Sequence, residues 1–109
     1  MLFKPEHVEP ILSGRKTQTR RLGKKRWRVG AIHRCYVRPS FAKGGSESFA
    51  SVEIISVRRE CLSDISDADI LAEGYDSFPA YWDALHRITH GRVTPTSDLW
   101  VVTFALVTP

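Results

Sequence analysis

From Gly14 to Arg21 the chain reads Gly-Arg-Lys-Thr-Gln-Thr-Arg-Arg, a stretch whose residue types could do chemistry together. Lys16 stands among Arg15, Arg20 and Arg21, and each neighbouring positive charge disfavours the ammonium form of a lysine. A neutral lysine serves as a base or nucleophile near neutral pH. The Thr19 hydroxyl holds its proton tightly and needs such a base before it can attack anything. An acid from elsewhere in the chain would orient the lysine and relay the proton. Glu73, beside Gly74 at an expected helix end, is chosen for this from position alone. The spacing also poses a difficulty, because residues 16 and 19 of an ideal strand point to opposite faces. Lys16 and Thr19 converge only if Lys16 still lies in the turn after Gly14, or if the strand is kinked. The competing reading is an edge strand with solvated Lys and Arg and two strand-favouring threonines.

Other reactive residue types make weaker patterns. His86 and His90 lie four apart on an expected helix, as metal ligands can, but no third ligand accompanies them, and His90 near the helix end suits the helix dipole. No metal and no cofactor are expected. His7 and His33 are isolated and read as structural. Tyr75, Phe78, Tyr81 and Trp82 could stack on a base; packing of a helix is the commoner use of such aromatics, and Tyr75, close to Glu73, is the one kept for a cleft. Ser13, Ser40 and Ser46 have no His/Asp spacing that suggests a serine hydrolase. Cys35 and Cys61 form no CxxC pair and are expected as buried, reduced thiols of a cytoplasmic protein.

Several elements must position these residues. Met1 to Lys4 suits a short strand, and Pro5 suits a helix start. Val8, Ile11 and Leu12 form an apolar stripe that Pro10 interrupts, so a short or broken helix is expected, ending at Gly14 as a left-handed cap. Residues 16 to 22 read as extended, since Thr17 and Thr19 disfavour helix. Gly23 to Arg28 is a loop, and Trp27-Arg-Val-Gly30 reads as an apolar anchor before a tight turn. Ala31 to Arg38 is the next strand, followed by a flexible connection from Pro39 to Ser48. Phe49 to Arg59 is a strand whose alternation changes phase between Ile54 and Ile55, which predicts a bulge. Ser66 is a good N-cap for a helix stopped by Gly74, with Asp69 at its third position and Ile65 and Ile70 as a staple. Phe78, Trp82, Leu85 and Ile88 form the stripe of another helix ending near Gly91. In the last strand Trp100, Val102, Phe104 and Leu106 give one heavy face. The fold class is α+β, mostly β: a small antiparallel β-barrel with two to three short helices packed outside, over residues 1–109 as a single domain.

Composition bounds the function. With 42% hydrophobic and 26% charged residues, the 109-residue chain is an ordinary globular one. No run reaches the roughly 18 apolar residues of a membrane span, and the N-terminus has no signal-peptide core. A membrane partner is therefore not expected, nor is an obligate protein partner evident. The charge is strongly asymmetric: residues 1–45 hold twelve Lys/Arg against Glu6 and Glu9, whereas residues 46–109 hold four Arg against ten acids. Eight of those cations fall between Arg15 and Arg28. Such density attracts polyanions, and Lys24, Lys25, Arg26, Trp27 and Arg28 are the residues expected to meet RNA.

The stretch Ile11 to Arg21 closely resembles the motif of the ASCH domain family, G-x-K-x-x-T-x-R, with Gly14, Lys16, Thr19 and Arg21 in its four fixed positions. Trp27-Arg-Val-Gly30 is similar to the family's apolar-x-x-Gly turn, and Ala72-Glu73-Gly74-Tyr75 resembles its acidic position. The first motif is fairly specific and the other two fall in the right order; length and element order match one ASCH domain end to end. The resemblance implies a PUA-like barrel with a cleft beside the motif, generally associated with RNA. It also implies kinship with small amidohydrolases that remove the acetyl group from N4-acetylcytidine by means of a Lys, a Thr and a Glu. By motif position these fall on Lys16, Thr19 and Glu73, with Arg21 and Tyr75 left to hold the substrate. The first expectation is thus a hydrolase acting on N4-acylated cytidine or a related modified nucleoside, with Thr19, Lys16 or water as the attacking group. The second is a non-catalytic RNA-binding ASCH module. The third is a metal-independent ribonuclease.

Overall fold

The computed structural model describes residues 1–38 and 47–107, so most of the connection expected at Pro39 to Ser48, with Ser40 and Ser46, lies outside the described residues. Two short helices, α1 (Val8–Leu12) and α2 (Asp67–Ala72), and a longer one, α3 (Phe78–Ile88), accompany four strands: β1 (Gln18–Arg21), β2 (Ile32–Cys35), β3 (Ala50–Cys61) and β4 (Asp98–Leu106). The strands form a single antiparallel sheet in the order β1-β4-β3-β2, curled as a half-barrel with β1 and β2 at its edges. A parallel bridge from Leu2 to Tyr36 places the N-terminal residues beyond β2. Among the described residues no helix is long and apolar enough to cross a membrane.

Local chemistry accounts for the element ends. Pro5 starts a 3-10 turn that runs into α1, and Gly14 closes it at φ +80°, a conformation open to glycine because it has no Cβ. In α2 the Ser66 side chain accepts from the Asp69 amide while the Asp69 carboxylate accepts from the Ser66 amide, a complete capping box. The bulge falls where the phase change placed it, between Ile54 and Ser56 in the β3–β4 register. The extra residue bends β3 and lets its twelve residues curl the sheet.

Two cores lie against this sheet. Trp27, Ile11, Cys35, Val52, Ile54, Val102 and Phe104 fill the concave side, with Trp100 and Leu106 packed at its margin. Leu62, Ile70, Tyr81, Leu85, Val93 and Leu99 join α2 and α3 to the other side. The single heavy face expected for β4 is therefore incomplete, since Leu99 and Val101 on its opposite face are also fully buried. The helices cover that face, and a strand sandwiched between two layers buries both of its sides. Cys35 is buried as expected, but Cys61 is only half-buried, because it ends β3 at the sheet margin; both thiols are free.

Candidate active site

Lys16 lies in the connection between Gly14 and β1, outside the strand, so the alternation of strand faces does not separate it from Thr19. The Lys16 amide donates to the Pro10 carbonyl at 2.9 Å and the Thr17 amide to the Ala72 carbonyl at 2.8 Å, so α1 and the end of α2 clamp this connection from both sides. Glu73 is the C-cap of α2, followed by Gly74 at φ +96°. A Cβ at Gly74 would lie 3.4 Å from the Lys16 Cβ, so this glycine is what lets the helix end lie against the lysine stem.

The side chains of Lys16 and Glu73 are 2% and 3% exposed, deep enough that solvation no longer sets their charge. Lys16 Nζ donates to the Gln18 carbonyl at 2.9 Å and to the Glu73 carbonyl at 3.0 Å, and stands 3.7 Å from Glu73 Oε1. Burial pushes the ammonium below the usual lysine range; Glu73 pulls it back, and Arg21 adds to the lowering. Burial likewise raises the Glu73 carboxyl, against the pull of Lys16 and Arg20. The expectation that surrounding cations depress Lys16 is thus corrected in its cause. Arg15 is exposed and paired with Glu9, and Arg20 is paired with Glu60 and Asp69, which leaves Arg21 as the cation that acts on the lysine.

Thr19 and Arg21 alternate with Gln18 and Arg20 along β1 and turn to the other side of the strand. Arg21 Nε donates to Thr19 Oγ1 at 3.1 Å, Nη2 donates to the Leu2 carbonyl at 2.7 Å, and the guanidinium lies 5.0 Å from the centre of the Phe3 ring. One cavity of about 480 Å³ is lined by Lys16, Thr19, Arg21, Glu73 and Tyr75. That volume is in the range of small-molecule sites. The basic loop does not contribute to its lining: Lys24, Lys25, Arg26 and Arg28 are exposed outside it. Trp27, 8% exposed, packs into the concave core as the apolar anchor, unlike the exposed cations on either side of it.

His7, read from the sequence as structural, and Tyr81, named there as a possible base-stacking group but set aside as helix packing, line the same cavity. His7 Nε2 lies 2.8 Å from the Tyr75 hydroxyl, and the ring meets Phe3 and Tyr75 edge-on. Burial, followed by the Lys16 charge, lowers its pKa to about 4, so the imidazole is neutral at neutral pH. Tyr81 presents its hydroxyl to Glu73 from α3 without the geometry of a hydrogen bond, and burial followed by the Glu73 charge raises its pKa. Tyr81 stands outside the stripe expected for α3: the helix buries Tyr81, Ala84 and Leu85 and leaves Phe78 exposed, so the inward face is turned from the one the sequence suggested. His7 carried no pattern signal beyond its place one turn before the motif.

The curled antiparallel sheet with its few short helices has the fold of ASCH-domain structures. The likeness is visible in three solved structures: an ASCH domain from Lactobacillus crispatus (TM-score 0.68, 22% identity, 91% of this chain and 69% of that one), a DUF984 protein from Enterococcus faecalis (0.65, 19%, 94% and 70%) and a tyrosine-to-phenylalanine mutant of an ASCH protein from Zymomonas mobilis (0.63, 14%, 100% and 71%). No protein-family model matches the chain, and no curated protein matches it significantly. At these identities the likeness establishes the fold.

Proposed function

We propose that the protein is an amidohydrolase that removes an acyl group from N4-acylated cytidine or a related modified nucleoside. The observation that carries this reading is the burial of Lys16 against Glu73 at a cavity that Thr19 and Arg21 also line. Burial favours the neutral amine, the form able to take a proton. The nucleophile, the Thr19 hydroxyl or a water in its place, adds to the acyl carbonyl as its proton passes to Lys16 Nζ. The tetrahedral intermediate then collapses with cleavage of the C–N bond, and the proton returns to the departing exocyclic amine, with Glu73 holding Lys16 throughout. If Thr19 attacks, a second cycle with water frees the acyl-threonine as carboxylate. Arg21 supplies fixed positive charge for the oxyanion. The direct test is release of acetate from N4-acetylcytidine by purified protein. Turnover that Lys16→Ala and Thr19→Ala abolish without unfolding is expected, and no turnover across a panel of acylated cytidines rejects the reading.

A second reading, an RNA-binding module, rests on Lys24, Lys25, Arg26 and Arg28, exposed on the loop that leaves the cavity wall at Leu22. It calls for RNA affinity that falls steeply with salt and with replacement of these cations.

A further inference from the structure

β1 is an edge strand, and its register decides which backbone groups face the cavity. The Phe104 amide donates to the Thr17 carbonyl at 2.9 Å, and the pairs Thr19↔Val102 and Arg21↔Trp100 follow in the same phase. In an antiparallel ladder only alternate residues bond to the neighbouring strand, so the N–H and C=O of Gln18 and Arg20 point off the sheet. The off-sheet Gln18 carbonyl is already engaged by Lys16 Nζ at 2.9 Å. That leaves the lone Gln18 N–H and, side by side, the Arg20 N–H and C=O, on a strand whose neighbours Lys16, Thr19, Arg21 and Leu22 all line the cavity with it. The Arg20 side chain is spent elsewhere, donating to Glu60 at 2.7 Å and Asp69 at 3.3 Å. Arg20 is 4% exposed, and no described residue bonds its N–H or C=O off the sheet. A buried backbone pair without a partner is costly, which makes it a ready recognition element.

We infer that the Arg20 backbone pair is the specificity element of the cavity, reading the edge of a planar, uncharged ligand that sets a hydrogen-bond acceptor beside a donor, as cytosine does with ring N3 and its exocyclic N–H. An added peptide strand is a poor occupant. It needs free off-sheet pairs at every other residue, whereas β1 has four residues and the Gln18 carbonyl is taken. A nucleobase needs only one such pair, and the cavity of about 480 Å³ has room for a nucleoside.

The inference rests on the nucleoside reading of the site, and its test is a binding measurement that requires no turnover. Titration with cytidine is compared with two neutral analogues, 3-deazacytidine, which lacks the acceptor, and N4,N4-dimethylcytidine, which lacks the donor. Each is expected to bind about tenfold more weakly, the worth of one hydrogen bond. Arg20→Ala keeps the N–H but loses the side-chain pairs to Glu60 and Asp69, and is the reference against which the backbone change is read. Arg20→Pro removes the N–H at an edge position where proline is tolerated, and is expected to lose about tenfold more. If Arg20→Pro fails to fold, the wild-type Arg20 amide resonance decides: it shifts and exchanges more slowly on cytidine addition. Equal binding by the two variants, an unmoved amide, or no binding of cytidine overturns the inference. Binding with this pattern but no deacylation would reject the amidohydrolase alone. Deacylation with indifferent Arg20 variants would reject the backbone element alone.

Discussion

At the scale of single residues, burial sets the chemistry more than neighbouring charge does. Lys16→Ala is expected to lower deacylation at least ~100-fold, the usual worth of a positioned base, with circular dichroism unchanged, because Glu73, its carboxyl already raised by burial, can remain protonated. His7 gives a separate prediction in pH. Its folded pKa of about 4 lies below the usual imidazole value of 6.5, so between these values the unfolded chain binds more protons. Stability therefore rises with pH across that window and falls on acidification through it. Since the ring is only partly buried, the effect is on the order of 1–2 kcal/mol after screening. Glu73 acts in the opposite sense, as its raised carboxyl binds protons in the folded state at lower cost. Denaturation of wild type and His7→Asn at pH 7 and pH 4.5 isolates the histidine; a difference that stays constant between the two pH values would count against it. Lys16, Thr19 and Arg21 were legible as a motif because three functional groups fell within six residues. Tyr81 and His7 were not, because a lone aromatic or imidazole gains meaning only from what tertiary packing sets opposite it.

At the scale of elements, the end of α2 is the joint on which the site depends. Gly74→Ala would place an L-residue at φ +96° and a Cβ 3.4 Å from the Lys16 Cβ. The backbone strain alone costs about 1–2 kcal/mol, and the displaced lysine is expected to lower activity beyond what the lost stability explains. Activity measured well below the melting temperature separates the two effects. At the other end of α2, Ser66→Ala removes a cap worth ~1 kcal/mol. Asp69→Ala is expected to cost more, because Asp69 also accepts from Gln18 at 3.1 Å and from Arg20 at 3.3 Å, tying α2 to β1. Comparing the two variants in urea tests that ordering. The capping box, the left-handed Gly14 and the β3 bulge were legible because each is a local event with a residue signature. The pairing of β1 with β4, more than seventy residues away, has no such signature.

At the scale of the whole molecule, charge and core divide the labour that the basic segment suggested. Trp27 belongs to the concave core, and Trp27→Ala is expected to destabilise by about 3–5 kcal/mol, whereas replacing Lys24, Lys25, Arg26 and Arg28 by serine should leave the melting temperature within a few degrees. The same fourfold variant is expected to lose RNA affinity and its salt dependence while keeping nucleoside turnover, since these side chains stand outside the cavity. Thermal unfolding, filter binding and acetate release on one preparation check all three. The sequence by itself determined the order and type of the elements, the caps and the bulge, and the identity of the motif, because these follow from short-range periodicity and from what each side chain permits its own backbone. Only the tertiary structure decided that Lys16 lies before the strand and not on it, that Glu73 closes on it from fifty-seven residues away, and that the basic run divides into a buried part and an exposed one. The reason is desolvation: whether a Lys, Arg or Trp is a reactive group, a structural anchor or a solvated charge depends on what covers it, and that cover comes from parts of the chain remote in sequence.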